Sequence, residues 1–313
     1  MPDYSKRVKE FVWYHINGDG DCNGQVLREY AQKNHLNQQD CFDLAYFYAT
    51  TYCCVSAVFL LNNRDRIKND CRNFASEYKS KLIFQSDRKY VKMRDTFYKM
   101  LDFWQKNLQT ASELFKQQYV QHGILNTGKA LSACEKWYYF RRFSAYLFVE
   151  TYCDILRLDA TRETGMQYEG DNMTFIGGLC YVYGMDTYAK FVQDNRKLPL
   201  DRSTIDYMIS NLQETIKASG GDDNLTKLET SLCAYEKFFK ATRYNGFYAD
   251  RQLQEINKLI AEPEFSSTCK AVLAARDVIP DCYRGEKFGW SGIRTQLKKS
   301  YLATGVIQSK YDV

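Results

Sequence analysis

The segment that decides the fold spans residues 228 to 255 and reads LETSLCAYEKFFKATRYNGFYADRQLQE. Its large apolar side chains recur at intervals of three and four residues, which is the period of a helix with one buried face. The members of this apolar stripe are Leu232, Tyr235, Phe238 and Phe239. Gly246 interrupts the pattern at a point where the backbone can bend. The segment therefore predicts an amphipathic core helix, a turn and a second helix.

A similar periodicity extends over most of the 313-residue chain. Only 4 prolines and 17 glycines are present, which favours helices over a turn-rich β architecture. We therefore predict an all-α fold, a single large domain over residues 1–313 with about ten or more helices and no substantial sheet. Two packed helical lobes, 1–160 and 161–313, are the alternative organisation.

Three of the predicted helices are long, over residues 37–62, 88–119 and 128–158. Asn37 is the expected N-cap of the first, and Asp40 is the alternative cap. Within that helix, Thr50 and Thr51 are expected to hydrogen-bond to the preceding turn. Cys53 follows them and is a weak candidate nucleophile, because no histidine lies at a suitable spacing.

The cysteine pattern and the lengths of the apolar runs indicate the cellular compartment in which the protein is expected. Eleven cysteines, an odd number without CxxC spacing, argue against a disulfide framework and against a zinc ribbon. No apolar run is long enough to cross a bilayer. We expect a protein of a reducing cytoplasm with no membrane partner.

Positive charge is concentrated between residues 64 and 99, where eleven Lys and Arg face five Asp and Glu. This net charge of +6 exceeds the +5 of the whole chain. Aromatic residues are interleaved with the bases, so the segment could follow a phosphate backbone while its rings pack or stack. The alternative is a solvated helical face over a buried aromatic stripe.

The string HINGDGDCNG, residues 15 to 24, is rich in polar residues and glycine. It partly matches a calcium-binding loop, but the twelfth position is Tyr30 where a bidentate glutamate is needed. Two other interpretations stay open: a capped turn without ligand, and a polar active-site loop. The active-site residues would be His15, Asn17, Asp19 and Asp21.

Two further segments offer possible phosphate contacts. Arg141 and Arg142 fall in the strongly apolar helix predicted over 128–158, where they indicate either an internal ion pair or a phosphate clamp. Gly177 and Gly178 predict a turn that opens a short helix, whose amides would suit a phosphate oxygen. The chain contains no GxGxxG, P-loop or hydrolase-elbow motif, so a conventional nucleotide-binding or hydrolase fold is not indicated.

The charged edge of residues 228 to 255 can likewise be interpreted in two ways. Glu236 and Lys240 are four residues apart and Lys240 and Arg243 three apart, so they are neighbours on one side of a helix. They could form a salt-bridged outer face or, near the Gly246 turn, an anion-binding edge.

Three segments carry a resemblance to a known family. They are FRRFSAYLFVETYCDI (140–155), FIGGLCYVYG (175–184) and SLCAYEKFFKATRYNGFYADR (231–251). Together they resemble the all-helical proteins of phage thymine hypermodification, which include the helical domain of 5-hydroxymethyluracil DNA kinases, the α-glutamyl/putrescinyl-thymine pyrophosphorylases and the amino acid:DNA transferases. HINGDGDCNG and RYNGFYADR depart from the pyrophosphorylase branch, which favours the transferase branch.

The resemblance implies a reaction. An amino acid displaces pyrophosphate from 5-pyrophosphoryloxymethyluracil in DNA, so the enzyme must expose the base, neutralise the leaving group and remove a proton from the amine. It implies general-base or ammonium-binding roles for Glu236, Asp250, His15, Asp19 and Asp21. It implies contacts to pyrophosphate or DNA phosphate from Lys237, Lys240, Arg243, Arg251, Arg141, Arg142, Gly177 and Gly178.

The resemblance also implies stacking and partners. Tyr244 and Tyr248 would stack on the extruded base. The partners would be DNA with modified thymine, a free amino acid and other phage modification enzymes in the host cytoplasm. No cofactor is required, although a divalent metal could bridge pyrophosphate to Asp19 or Asp21. The alternatives are a pyrophosphorylase or kinase-associated enzyme, and a non-catalytic helical DNA-binding accessory.

Overall fold

The structure is a computed structural model, which describes residues 4–17, 22–85, 93–160, 173–195, 197–240, 242–244, 246–279, 296, 299–300 and 302–304. The predicted all-α fold is confirmed. The first helices are α1 (Tyr4–Asn17), α2 (Asn23–Lys33), α3 (Gln38–Thr51), α4 (Cys54–Asn62), α5 (Arg64–Asn69), α6 (Cys71–Tyr78), α7 (Met93–Asn107) and α8 (Ala111–Tyr119). They are followed by α9 (Thr127–Cys134), α10 (Arg142–Leu156), α11 (Thr174–Val182), α12 (Asp186–Asn195), α13 (Arg202–Ala218), α14 (Leu225–Phe239), α15 (Phe247–Leu259) and α16 (Pro263–Ala275).

The strands within the described residues form one small sheet of two-residue elements. These are β1 (Val120–Gln121), β2 (Ile124–Leu125) and β3 (Asp159–Ala160). β1 pairs with β2 antiparallel, and β2 pairs with β3 in parallel. None of the helices within these ranges is long and apolar enough to span a membrane.

The chain divides into two compact units. The first unit contains Met1–Cys22, Arg162–Asp250 and Ile279–Val313, and the second contains Asn23–Thr161 and Arg251–Val278. The boundary of the predicted two-lobe alternative, between residues 160 and 161, lies beside one of the places where the chain passes from one unit to the other. Periodicity could not reveal the other passages, because it shows that a helix has a buried face without showing what covers that face.

The core of the second unit is formed around α3, which packs against α4 and α10. Every residue from Cys41 to Thr51 is buried, so this helix is covered on all sides. Phe42 contacts the rings of Phe148 and Tyr152 at centroid distances of 5.1 and 5.8 Å. Burial of several aromatic rings in one cluster supplies much of the hydrophobic stabilisation of such a core.

The predicted helix over residues 37–62 is confirmed at its start and wrong in its middle. The Asn37 side chain accepts a hydrogen bond from the Asp40 amide at 2.9 Å, which makes Asn37 the N-cap. Thr50 and Thr51 donate to carbonyls one turn earlier, as predicted. The helix ends there because Tyr52 adopts the left-handed conformation with φ of 54°, which is rare for a bulky residue.

Two other long predicted helices are also interrupted. Within the described residues, the predicted helix over 88–119 is observed as α7 and α8, with a break between Asn107 and Ala111, and residues 88–92 lie outside those residues. The predicted helix over 128–158 is observed as α9 and α10, and Arg141 occupies the N-cap position of α10 instead of lying inside a helix. No proline marks either break in the sequence, so the apolar pattern alone suggested continuity.

The first unit brings α11 and α14 into close contact. Gly177 and Gly178 lie inside α11, and a Cβ atom on Gly178 would be 2.1 Å from the backbone oxygen of Leu232 in α14. The two backbones can approach this closely only because that position has no side chain. The predicted Gly-Gly turn is therefore wrong, and the pair instead allows two helices to pack tightly.

Candidate functional site

Glu236 and Lys240 form an ion pair at the end of α14. Glu236 lies on the apolar helix predicted from the opening segment and is 1% exposed. Lys240 caps the helix, and its Nζ atom is 2.6 Å from Glu236 Oε1. The predicted neighbourhood of these two residues is confirmed. The Lys240 side chain keeps 33% of its surface exposed, so the pair joins a buried carboxylate to a solvent-accessible cation.

The two carboxylate oxygens of Glu236 have different surroundings. Oε1 contacts Lys240, whereas Oε2 is buried and accepts no hydrogen bond from the residues that the structure describes. Burial raises the pKa of Glu236, and the charges of Lys240 and Lys237 together with the nearby Gln193 amide oppose that rise. A carboxylate with a raised pKa and an oxygen without a hydrogen bond is suited to accept a proton.

Gly177 creates the space for this carboxylate. A Cβ atom at Gly177 would lie 2.7 Å from Glu236 Oε1, so any side chain at this position would displace the carboxylate. The Gly177 amide donates to the carbonyl of Met173 at 3.1 Å, within the helix. Gly177 therefore does not offer its amide to phosphate, contrary to the sequence prediction, and its contribution to the site is space.

Tyr181 of α11 and Gln193 of α12 lie near Glu236, and Arg7 of α1 contacts Tyr181. Tyr181 stacks on Phe239 with ring centroids 4.4 Å apart, and its hydroxyl accepts a hydrogen bond from Gln193 at 3.1 Å. Arg7 donates to the carbonyl oxygen of Tyr181 and forms an ion pair with Asp186. We call Glu236, Lys240, Gly177, Gln193, Tyr181 and Arg7 the Glu236 site.

Three members of the Glu236 site were missed at the sequence level. Arg7 and Gln193 lie on ordinary amphipathic helices and carry no motif. Tyr181 follows Gly177 by one helical turn, so a helical interpretation of the glycine pair would have placed both on one face. The prediction of a turn at this position concealed that relation.

His15 forms a fully satisfied contact elsewhere in the first unit. Its Nε2 atom is 2.7 Å from the backbone oxygen of Asp222, and its Nδ1 atom is 2.9 Å from Ser231 Oγ. A carbonyl can only accept, so Nε2 carries the proton and Nδ1 accepts from the serine hydroxyl. Burial lowers the pKa of His15 to about 4. Asp19 and Asp21, and the side chain of Asn17, lie outside the described residues.

The segment after α14 is packed into the protein. Tyr244 and Tyr248 are each 3% exposed, and the Arg243 guanidinium covers the Tyr248 ring at 4.9 Å from its centroid while donating to its hydroxyl. Tyr244 donates a hydrogen bond to Asp250, which is 2% exposed. The two tyrosine rings are therefore core residues in this structure, which contradicts their assignment as base-stacking surfaces.

The predicted anion site draws on segments of both units. Lys240, Glu236 and Gly177 meet in the first unit, whereas Arg141, Arg142 and Arg251 belong to the second.

Arg251 is 4% exposed, lies over the Tyr52 ring at 4.5 Å and has its Nε atom 3.7 Å from Glu255 Oε1. Glu255 also accepts a hydrogen bond from Gln85 at 2.6 Å. Arg251, Glu255, Tyr52 and Gln85, here named the Arg251 cluster, form a sealed polar group.

The thiols and the polar string offer no alternative centre within the described ranges. No disulfide joins these cysteines, and burial, together with the charge of Glu255, raises the pKa of Cys53 well above its usual value. The described residues contain no group of three or more His, Cys, Asp or Glu placed to hold a metal. Asn23 begins α2 and its amide oxygen accepts from Gln252, so residues 23 and 24 do not form a calcium loop.

Comparison with protein-family models, with curated proteins and with solved structures found no match.

Proposed function

We propose that this chain is a DNA base-modifying transferase, which replaces the pyrophosphate of 5-pyrophosphoryloxymethyluracil in phage DNA with an amino acid. The observation that carries the proposal is the Glu236 and Lys240 pair, in which a buried carboxylate has a raised pKa and one oxygen without a hydrogen bond from the described residues. The family resemblance supplies the reaction class. The pair supplies the base and the cation that such a reaction requires.

In the proposed reaction the amine nitrogen of the amino acid attacks the exocyclic methylene carbon of the base. The new C–N bond forms as the C–O bond to pyrophosphate breaks, and pyrophosphate leaves with the electron pair. Glu236 takes the proton that the amine must lose, and Lys240 stabilises the developing negative charge on the leaving group. The substrate is already activated, so no covalent nucleophile on the protein is required, in agreement with the raised pKa of Cys53.

The direct test follows the modified nucleoside. DNA that contains 5-pyrophosphoryloxymethyluracil is incubated with the protein and each proteinogenic amino acid in turn, and the digested nucleosides are analysed by mass spectrometry. An adduct of base and amino acid is expected for at least one amino acid. Absence of an adduct with every amino acid would contradict the proposal.

Two other outcomes identify the alternative functions. Conversion of 5-hydroxymethyluracil DNA to its activated form, without amino acid transfer, would indicate an enzyme of the activation step. Binding to DNA without any change of the base would indicate a non-catalytic accessory protein. Either result would replace the transferase proposal.

A further inference from the structure

The bases of the positively charged segment form a surface on α5, α6 and α7, which pack against one another in the second unit. Six exposed cationic side chains of residues 64–99 lie on these helices or directly after α6. They are Arg66, Lys68, Arg72, Lys79, Lys81 and Lys99, here named the basic face.

Aromatic rings hold several of these cations in place. The Arg66 guanidinium lies 5.6 Å from the Phe74 ring centroid and 5.3 Å from that of Tyr78, and it donates to the Tyr78 hydroxyl at 2.9 Å. Lys81 lies over the same Tyr78 ring at 5.3 Å. Phe74 and Tyr78 are themselves buried. The rings of Phe74 and Tyr78 therefore support the cations and do not offer faces for base stacking.

Arg72 is held in the same manner, against Tyr98 of α7. Its guanidinium lies 5.2 Å from the Tyr98 ring centroid and donates to the Tyr98 hydroxyl at 3.4 Å. A guanidinium that is already ordered on a ring loses less side-chain entropy when it binds an anion. The aromatic contacts therefore prepare the face for binding while leaving charge at the surface.

Half of the basic face forms ion pairs within the described residues. Arg66 pairs with Glu77, Lys68 with Asp65 and Lys81 with Glu264. Arg72, Lys79 and Lys99 have no carboxylate ion-pair partner among the residues that the structure describes. Arg72 and Lys79 are seven residues apart at two ends of α6, which separates them by about 10 Å along the helix axis.

We propose that the basic face binds the phosphate backbone of DNA, and this proposal rests on the proposed function for the identity of the nucleic acid. The face presents exposed cations to solvent, and one of them, Arg72, is both held on a ring and without an ion-pair partner among the described residues. Such a surface complements a polyanion, and contacts to phosphate need no particular base sequence. A lipid surface fits less well, because interfacial binding also requires exposed large apolar side chains. The exposed large hydrophobic residues of the described chain lie outside α5, α6 and α7.

The test measures binding of full-length protein to a short unmodified DNA duplex, and to one of its single strands, by fluorescence anisotropy at several salt concentrations. The triple variant Arg72→Ala, Lys79→Ala, Lys99→Ala is compared with the wild type. The matched control is Lys217→Ala, Lys258→Ala, Lys270→Ala, which removes the same charge from exposed positions elsewhere.

We expect weaker binding by the basic-face variant and little change in the control. The slope of log K against log salt concentration should become shallower by about 0.9 for each cation that contacts duplex phosphate, or up to about 2.7 for three. Equal losses in both triple variants would overturn the proposal, because they would indicate diffuse electrostatics. Unchanged binding by the basic-face variant would overturn it as well.

A second variant tests the aromatic support independently of charge. Tyr98→Leu keeps every cation but removes the ring beneath Arg72, so it should weaken DNA binding less than the triple variant and leave the salt slope nearly unchanged. Circular dichroism confirms that each variant is folded. A Tyr98→Leu protein that is folded and loses as much salt dependence as the triple variant would contradict the assigned role of the ring.

The outcome is separable from that of the transfer reaction, since unmodified DNA is used for binding. Salt-dependent binding through the basic face without any adduct would support the DNA-binding surface and contradict the transferase function. Adduct formation together with normal DNA binding by the basic-face variant would support the transferase function and contradict the DNA-binding surface. When both proposals hold, the triple variant should raise KM for modified DNA and retain kcat at saturating DNA.

Discussion

Two consecutive helices carry the same kind of charge pair with opposite consequences. Glu236 and Lys240 on α14 and Arg251 and Glu255 on α15 are both acid-base pairs four residues apart. Lys240 keeps 33% of its side chain exposed, while the side chains of Arg251 and Glu255 are 5% and 4% exposed. The two pairs therefore share the same spacing, but only the cation of the first pair is accessible to solvent.

The two glutamates also differ in how fully the protein occupies their carboxylate oxygens. Glu255 Oε1 is contacted by Gln85 and Arg251, and the Arg251 guanidinium is covered by the Tyr52 ring. Glu236 has one oxygen on Lys240, and its other oxygen accepts no hydrogen bond from the described residues. A sealed pair contributes to structure, whereas a pair with an exposed cation and an unused acceptor can take part in chemistry.

The largest expected effect comes from Glu236→Gln, which keeps the shape of the side chain and removes its basicity. Loss of a general base typically lowers a rate by about 10²- to 10⁴-fold, and we expect a decrease in kcat for amino acid transfer of that order. In the wild type, kcat should fall as pH drops through the raised pKa of Glu236, because the protonated carboxyl cannot accept a proton. Steady-state rates by mass spectrometry provide the measurement.

The control for this variant lies on the same helix. Lys227 pairs with Asp222 across 4.0 Å near the surface, so Lys227→Met removes a charge pair of α14 without touching Glu236. It should retain nearly full kcat. If Glu236→Gln is folded and as active as Lys227→Met, then Glu236 is not the base.

The second largest effect is expected for Glu255→Gln, and it should be on stability. The substitution leaves Arg251 buried with its charge no longer balanced by Glu255, and breaking a buried pair costs about 3 kcal/mol or more of unfolding free energy. Urea denaturation measures the loss. Activity per folded molecule should change little, which is the reverse of Glu236→Gln. A large decrease in kcat without destabilisation would mean that the sealed cluster takes part in the reaction.

His15 belongs to the first unit, but like the Arg251 cluster it is buried and hydrogen-bonded within the protein, because both of its ring nitrogens have partners. Its pKa is about 4 when folded and about 6.5 when unfolded. Between these values the unfolded state binds the additional proton, so stability is present at neutral pH and is lost as pH falls from about 6.5 to about 4, by about 3 kcal/mol in total.

The His15→Gln variant tests this effect. It cannot titrate, so its stability should depend less on pH over that interval, even if it is less stable at pH 7. Urea denaturation at neutral and acidic pH gives the comparison. An acid-induced loss equal to that of the wild type would mean that other groups are responsible.

The sequence predicted the helices better than it predicted their ends and partners. Periodic apolar residues identified α14 and its charged edge, and residue type and position identified Asn37 as a cap of α3, with Asp40 as the alternative. The break at Tyr52 was not, because a left-handed tyrosine is imposed by tertiary packing and has no local signal. The resemblance implied phosphate contacts from both Arg251 and Lys240, whereas burial against Tyr52 excludes Arg251 from that role.

The glycine pair shows how an ambiguous local signal is decided by packing. Gly-Gly is typical of turns, and the sequence offered no reason to prefer a helix interior. The decisive information is the approach of α14, since Gly178 faces the Leu232 backbone and Gly177 faces the Glu236 side chain. Such long-range proximity is not encoded in the spacing of residues within one segment.

The smallest effects are expected for alanine substitutions of these two glycines. We expect the substitution at Gly178 to affect stability and the substitution at Gly177 to affect activity. A Cβ at Gly178 would lie 2.1 Å from a backbone oxygen, which cannot move without shifting α14, so Gly178→Ala should destabilise the fold by about 1 to 3 kcal/mol. A Cβ at Gly177 would meet the flexible end of Glu236, so Gly177→Ala should change stability by about 1 kcal/mol or less, since alanine also favours the helix.

The expected effect of Gly177→Ala is instead on the reaction, because a displaced Glu236 carboxylate loses its position relative to Lys240. The activity decrease should be smaller than that of Glu236→Gln, and urea denaturation with transfer assays on both glycine variants measures the contrast. If Gly177→Ala and Gly178→Ala lose stability equally and retain equal kcat, the glycines serve only helix packing. The space that Gly177 gives to Glu236 would then have no consequence for activity. The structural difference between the Glu236–Lys240 pair and the buried Arg251–Glu255 pair would no longer explain a difference in function.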